Sequence, residues 1–200
     1  MSISSIQKAL LKNMPRFRAN GPYIYESSYC HIVGGFLLER GSGGIYVWRF
    51  ALPLYDGDLV PHLTYGERLS GSDGFIESSF LVDRPQVISR IRGIFERNEA
   101  RVLESTTLGG FLSIISGSSA ENLYCIFAAS CTLFMLDDAV EAARLLEYLA
   151  KSDETLLYSG LSERVELLRS AALHGIDQAR LILERWEEEA KQAWPRSAKL

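Results

Sequence analysis

The chain has 200 residues, 47% of them hydrophobic and 23% charged, which is enough for one large domain or two small packed ones without a covalent staple. Acidic residues outnumber basic ones 25 to 21, and the net charge of −4 opposes general attraction to phosphate backbones and anionic lipid. No stretch reaches the roughly 18 uninterrupted apolar residues of a membrane span, and three cysteines with no CxxC spacing argue against a disulfide scaffold or a structural zinc site.

The opening MSISSIQKALLKNM lacks a basic segment followed by an apolar one, so cytoplasmic residence is expected. Residues 4–13 place Ile6, Leu10 and Leu11 at helical spacing behind a capping serine, which predicts a short amphipathic helix. Met14 to Pro22 hold two prolines and a glycine and read as a surface crossing.

From Tyr23 to Leu69 aromatic and β-branched residues dominate, which predicts strands. Residues 29–40 and 45–55 form a hairpin around Gly41-Ser42-Gly43-Gly44, and 63–69 alternates as a third strand of an antiparallel meander. In the second strand Tyr46, Trp48, Phe50, Leu52 and Leu54 share one face, which is read as core. The face of Ile45, Val47, Arg49, Ala51 and Pro53 is expected to meet solvent at Arg49. Gly34-Gly35 marks a bulge or a close backbone approach.

Residues 70–83 begin as flexible punctuation, and Asp83-Arg84-Pro85 reads as a capped helix entry. Helical spacing then continues over 108–115, 120–136, 138–150, 161–173 and 176–194, with Pro195 as the expected stop. The fold class is therefore α+β: an N-terminal antiparallel β-meander with a short helix, followed by a C-terminal helical half. The division falls at 1–83 and 84–200 within one compact domain. Ala143-Arg144-Leu145 recurs as Ala179-Arg180-Leu181 about 36 residues later, near the tetratricopeptide length, but two copies of good helix formers do not make a solenoid.

Asp56-Gly57-Asp58 followed by His62 is the segment most suggestive of chemistry. Two carboxylates and an imidazole could hold a divalent metal for a hydrolase. Asp-Gly is also a favoured turn dipeptide and Pro61 stiffens the connection, so a structural turn accounts for the same residues. Cys30 and His31 point to opposite faces of a strand and do not make a nucleophile and base pair, and Cys30 is expected to be buried. No GxSxG elbow, phosphate loop or dinucleotide fingerprint is present, and no cofactor is expected.

The helix after Asp83 carries Arg90, Arg97 and Arg101 among acids, a solvated face whose alternative use is nucleic-acid binding. The last helix sets Glu184, Glu187, Glu188 and Glu189 around Trp186, an acidic surface suited to a basic partner. Tyr23, Tyr25, Tyr55 and Tyr65 lie near strand ends, where they could anchor an interface together with Trp186 and Glu187. These features point to a noncatalytic module that recognises another protein, immunity-like or chaperone-like by size and acidity, and not to an enzyme. The terminal Ala198-Lys199-Leu200 is one substitution from a peroxisomal address.

Overall fold

The computed structural model describes residues 2–58, 63–79, 83–117, 122–156 and 158–197. In chain order these form α1 (Ile3–Leu11), β1 (Phe17–Asn20), β2 (Tyr23–Glu26), β3 (Ile32–Gly41), β4 (Gly44–Pro53), β5 (Gly66–Arg68), α2 (Gly71–Gly74), β6 (Phe75–Glu77) and α3 (Arg84–Ser105). Then come α4 (Leu108–Gly117), α5 (Leu123–Met135), α6 (Ala139–Lys151), α7 (Asp153–Leu156), α8 (Ser159–Ala172) and α9 (Ile176–Ser197). This is the α+β arrangement expected, an antiparallel meander with a short helix and then a helical half. The C-terminal tripeptide 198–200 lies outside the described residues.

The chain divides into two compact units. One holds α1–α3 and the sheet, while the other holds α4–α8, α9 as far as Trp194, and the segment from Pro53 that continues β4. The boundary thus falls after α3 and not before it. Val87, Ile91, Ile94 and Phe95 on that helix are buried in the same core as the sheet, with the Phe95 ring stacked on Phe36 at 3.9 Å.

In the first unit the strands run in the order β1-β2-β3-β4-β5, and β6 shares β4's second edge with β5. Trp48 pairs with Arg68 and Ile45 with Ile76 along that edge. The core side of the sheet is Ile24, Phe36, Leu38, Ile45 and Val47, covered by Ile6 and Leu10 of α1 and by α3. At its start β4 reverses the expectation, since Ile45 and Val47 are core while Tyr46 and Trp48 are half-buried, but Phe50, Leu52 and Leu54 are buried as expected. Alternation separates Tyr46 and Trp48 from Ile45 and Val47, but both sets are apolar, and the aliphatic helices cover the β-branched set.

β1 occupies the stretch read as a surface crossing. Its prolines, Pro15 and Pro22, flank the four residues that pair with β2 and do not interrupt them, so no ladder donor is lost. Gly35 confirms a close approach: a Cβ there would sit 2.1 Å from the main-chain oxygen of Ile24 on β2. The punctuation after residue 70 contains α2 and β6, two elements too short to show a period.

Asp83 caps α3 by accepting from the Gln86 amide at 3.2 Å, with Pro85 in the first turn. The α9 helix continues past Pro195 to Ser197 instead of stopping there. A proline removes one helical hydrogen bond, which a helix of 22 residues tolerates near its end. The tripeptide echo gains no support from environment, since Ala179 is fully buried whereas Ala143 is only half-buried. Cys30 is exposed, contrary to expectation, while Cys125 and Cys131 are buried and all three thiols are free.

Candidate functional site

The Asp-Gly-Asp segment is a turn, but it is not a solvent-facing one. Asp56 is 2% exposed, and its Oδ1 accepts from the Asp58 amide at 3.0 Å, the local bond that closes an Asx turn. Gly57 between them has φ +77, and an added Cβ would lie 2.9 Å from Arg164 and 3.1 Å from Trp186. Arg164, on α8, donates to the Asp56 carbonyl at 2.9 Å and lies 3.9 Å from the Asp58 carboxylate. The turn is thus seated within the helical unit. Asp56, Gly57, Asp58 and Trp186 converge there.

Tyr55 completes this cluster. Its hydroxyl lies 2.9 Å from Thr132 Oγ1, which itself donates to the Ala128 carbonyl at 2.6 Å, so the tyrosine O–H is the donor of the pair. Burial pushes the Tyr55 hydroxyl well above its ordinary pKa, and the nearby Cys131, Asp56 and Glu187 add to the rise. Burial likewise raises the Cys131 thiol, with Asp56 adding and Arg164 subtracting. Glu187 is 7% exposed and is paired with Lys191 one turn along α9.

No group of three His, Cys, Asp or Glu side chains suited to a metal ion occurs among the described residues, and His62 lies outside them. Tyr55, Trp186 and Glu187, read as surface anchors, are interior here, and Tyr65 in the first unit is 7% exposed. The tyrosines and Trp186 each have a polar tip on a large apolar body, and sequence spacing does not show which is covered, while Glu187 is paired with Lys191.

The arginines of α3 are engaged within the first unit. Arg97 forms a forked contact with the Asp73 carboxylate, its Nη2 at 2.6 Å, and holds that carboxyl below its usual pKa. Arg90 donates to the Ser72 carbonyl at 3.2 Å, so both side chains fasten the segment between β5 and β6. Arg101 is exposed. The basic face read from the sequence is thereby reduced.

Two surfaces remain open. The outer face of the sheet carries Tyr23 and Tyr25 of β2, Tyr46 and Trp48 of β4, and Phe75 of β6, all half-buried. The Arg68 guanidinium lies over Tyr46 at 4.0 Å and Trp48 at 5.0 Å, and Trp48 Nε1 donates to Glu39 at 2.8 Å. Tyr46 also packs on Phe75 at 4.8 Å, and Tyr23 meets Phe50 edge-on at 5.3 Å. These rings stand on the sheet and are each half-buried, while Phe50 on the same face is 2% exposed.

The second surface is a trough of about 560 Å³ in the helical unit. Its floor is α5, at Ile126 and Ala129, and its walls are Leu112 and Ile115 of α4 and Leu145 and Tyr148 of α6. Glu141 and Arg144 on the rim neutralise each other through a two-pronged contact at 2.5 and 2.7 Å.

Sequence reasoning missed Arg164, Thr132 and Arg68. Thr132 has a signal, a hydroxyl inside the apolar run 123–135, but the other two are ordinary charged residues until folding gives them partners. No protein-family model, curated protein or solved structure matches this chain. Among the described residues no helix is long and apolar enough to cross a membrane.

Proposed function

We propose that the protein is a noncatalytic recognition module that binds another polypeptide through the outer face of its sheet. The observation that carries this reading is the Tyr46–Arg68–Trp48 stack, flanked by Tyr23 and Tyr25. Tryptophan, tyrosine and arginine supply most of the energy at protein interfaces. Here they already pack on one another, with Trp48 bonded to Glu39, which reduces the side-chain entropy lost when a partner covers them. Tyr23 and Tyr25 keep the role expected from the sequence, and Tyr46, Trp48 and Arg68 take the places of the interior residues. Three free thiols, one of them exposed, suit a reducing compartment and support a cytoplasmic setting. An immunity-like or chaperone-like task is the finer form of this proposal and rests on size and acidity.

The test compares affinity capture by the wild type with capture by Trp48→Ala and Arg68→Glu, followed by direct binding of the identified polypeptide. Each variant is first shown to melt as the wild type does. A polypeptide whose affinity falls about tenfold or more in either variant supports the reading. Capture unchanged by both variants, or retention of nucleic acid alone, rejects it.

A further inference from the structure

The trough over α5 is built like a helix seat. Along its floor Cys125, Ala129 and Leu133 succeed one another by four residues, and along one wall Glu141, Leu145 and Tyr148 do so by four and three. These rows are the ridges that another helix packs between, and the small Ala129 leaves the floor low at mid-length. From residue 125 to 133 the floor runs about 12 Å, a little over two turns of a visiting helix. The α4, α5 and α6 helices thus form three sides of an arrangement that a further helix would complete.

Charge distinguishes the two ends. Tyr148, 53% exposed, borders the trough and also a second recess that contains Leu123, Ser152, Asp153 and Glu154. Glu141 is occupied by Arg144, and Glu147 by Arg169 and Lys151. Asp153 and Glu154 are exposed and make no ion pair among the described residues. A helix lying in the trough therefore meets apolar side chains along its length and two uncompensated carboxylates at one end.

We infer that this trough binds an amphipathic helix of a partner protein, apolar on the buried face and carrying lysine or arginine at the end that reaches Asp153 and Glu154. The inference takes from the proposed function only that the protein binds polypeptides. It concerns a different surface, so the two fail separately.

The probe is a displayed library of peptides of about 16 residues, roughly four helical turns, selected on the full chain and counter-selected on Ala129→Arg. Enriched sequences should show apolar residues at spacings of three and four, with basic residues gathered at one terminus. The best synthetic peptide should lose about tenfold in affinity on Tyr148→Ala and at least severalfold on the Asp153→Lys, Glu154→Lys double variant, the latter loss shrinking at high salt. These three positions are exposed or on the trough wall, so their variants keep the test valid if Ala129→Arg fails to fold; counter-selection then uses Tyr148→Ala. The inference is overturned if no helical pattern is enriched, if enriched peptides carry no basic end, or if affinity is indifferent to Tyr148 and to the double charge reversal. Unchanged behaviour of the Trp48→Ala variant toward these peptides is expected, and a loss there would place their site on the sheet and overturn the trough as their seat.

Discussion

Arg164 Nη1 on α8 donates to the main-chain carbonyl of Asp56, 2.9 Å away and 108 residues earlier in the chain. The same guanidinium donates to the Gly160 carbonyl and lies 5.6 Å from the centre of the Phe127 ring. One side chain thereby ties the turn, the start of its own helix and the apolar centre of the helical unit. Replacing it with alanine leaves the half-buried turn without its donor and should cost about 1–3 kcal/mol in denaturant unfolding. Asp58→Asn, whose contact with Arg164 is 3.9 Å long, should cost less than about 0.5 kcal/mol. Equal losses would show that the carboxylate, and not the carbonyl, is what Arg164 holds.

The buried Tyr55 makes the helical unit sensitive to alkali. Its hydroxyl ionises less readily in the fold than in the unfolded chain, where the value is near 10.0. Its stabilisation is therefore fully present below pH 10 and is lost as pH rises toward the higher folded value. Tyr55→Phe should cost about 1 kcal/mol at neutral pH by removing the bond to Thr132, and should flatten the stability decline above pH 10. An absorbance titration at alkaline pH should show one tyrosine that ionises only as the protein unfolds.

Thiol labelling should distinguish the three cysteines. Cys30 is exposed and should react promptly with an aromatic disulfide reagent, whereas Cys125 and Cys131 are buried and burial raises both thiols. One thiol per chain is expected to react in the native state and three after denaturation, with Cys30→Ser abolishing the fast phase. Prompt labelling of two or more would contradict the buried placement of Cys125 and Cys131.

Two glycine substitutions probe the two units. Gly35→Ala drives a Cβ to 2.1 Å from the Ile24 oxygen, a backbone atom that cannot step aside, and should cost more than about 3 kcal/mol or prevent folding of the sheet. Gly57→Ala combines φ +77 with a Cβ 2.9 Å from Arg164 Cδ and 3.1 Å from the Trp186 ring, side-chain atoms that can shift by a few tenths of an ångström, and should cost about 2 kcal/mol. Thermal melts that rank the second above the first would show that strained backbone outweighs the strand contact.

Much of the local structure was legible. Asp83 with Pro85 announced the start of α3, and the glycines at 41–44 announced the β3–β4 hairpin, because caps and tight turns depend on neighbours in sequence. β1, α2 and β6 were not, since three or four residues are too few for a period to emerge. Of the residues expected to anchor an interface, Tyr23 and Tyr25 lie half-buried on the outer face of the sheet. Tyr55, Trp186 and Glu187 were expected at a surface, but folding placed them inside.

Alternation and turn chemistry act over a few bonds, so the sequence alone determined that β4 has two faces and that Asp56-Gly57-Asp58 makes a local turn. Which face of β4 would join the core over residues 45–48 depended on where α1 and α3 came to rest, because two apolar faces compete for the same cover. Only the tertiary structure could decide that, and only it could bring Arg164 to Asp56 and Thr132 to Tyr55. Those partners are distant in the chain and become neighbours through the packing of whole helices, a property no short window of residues contains.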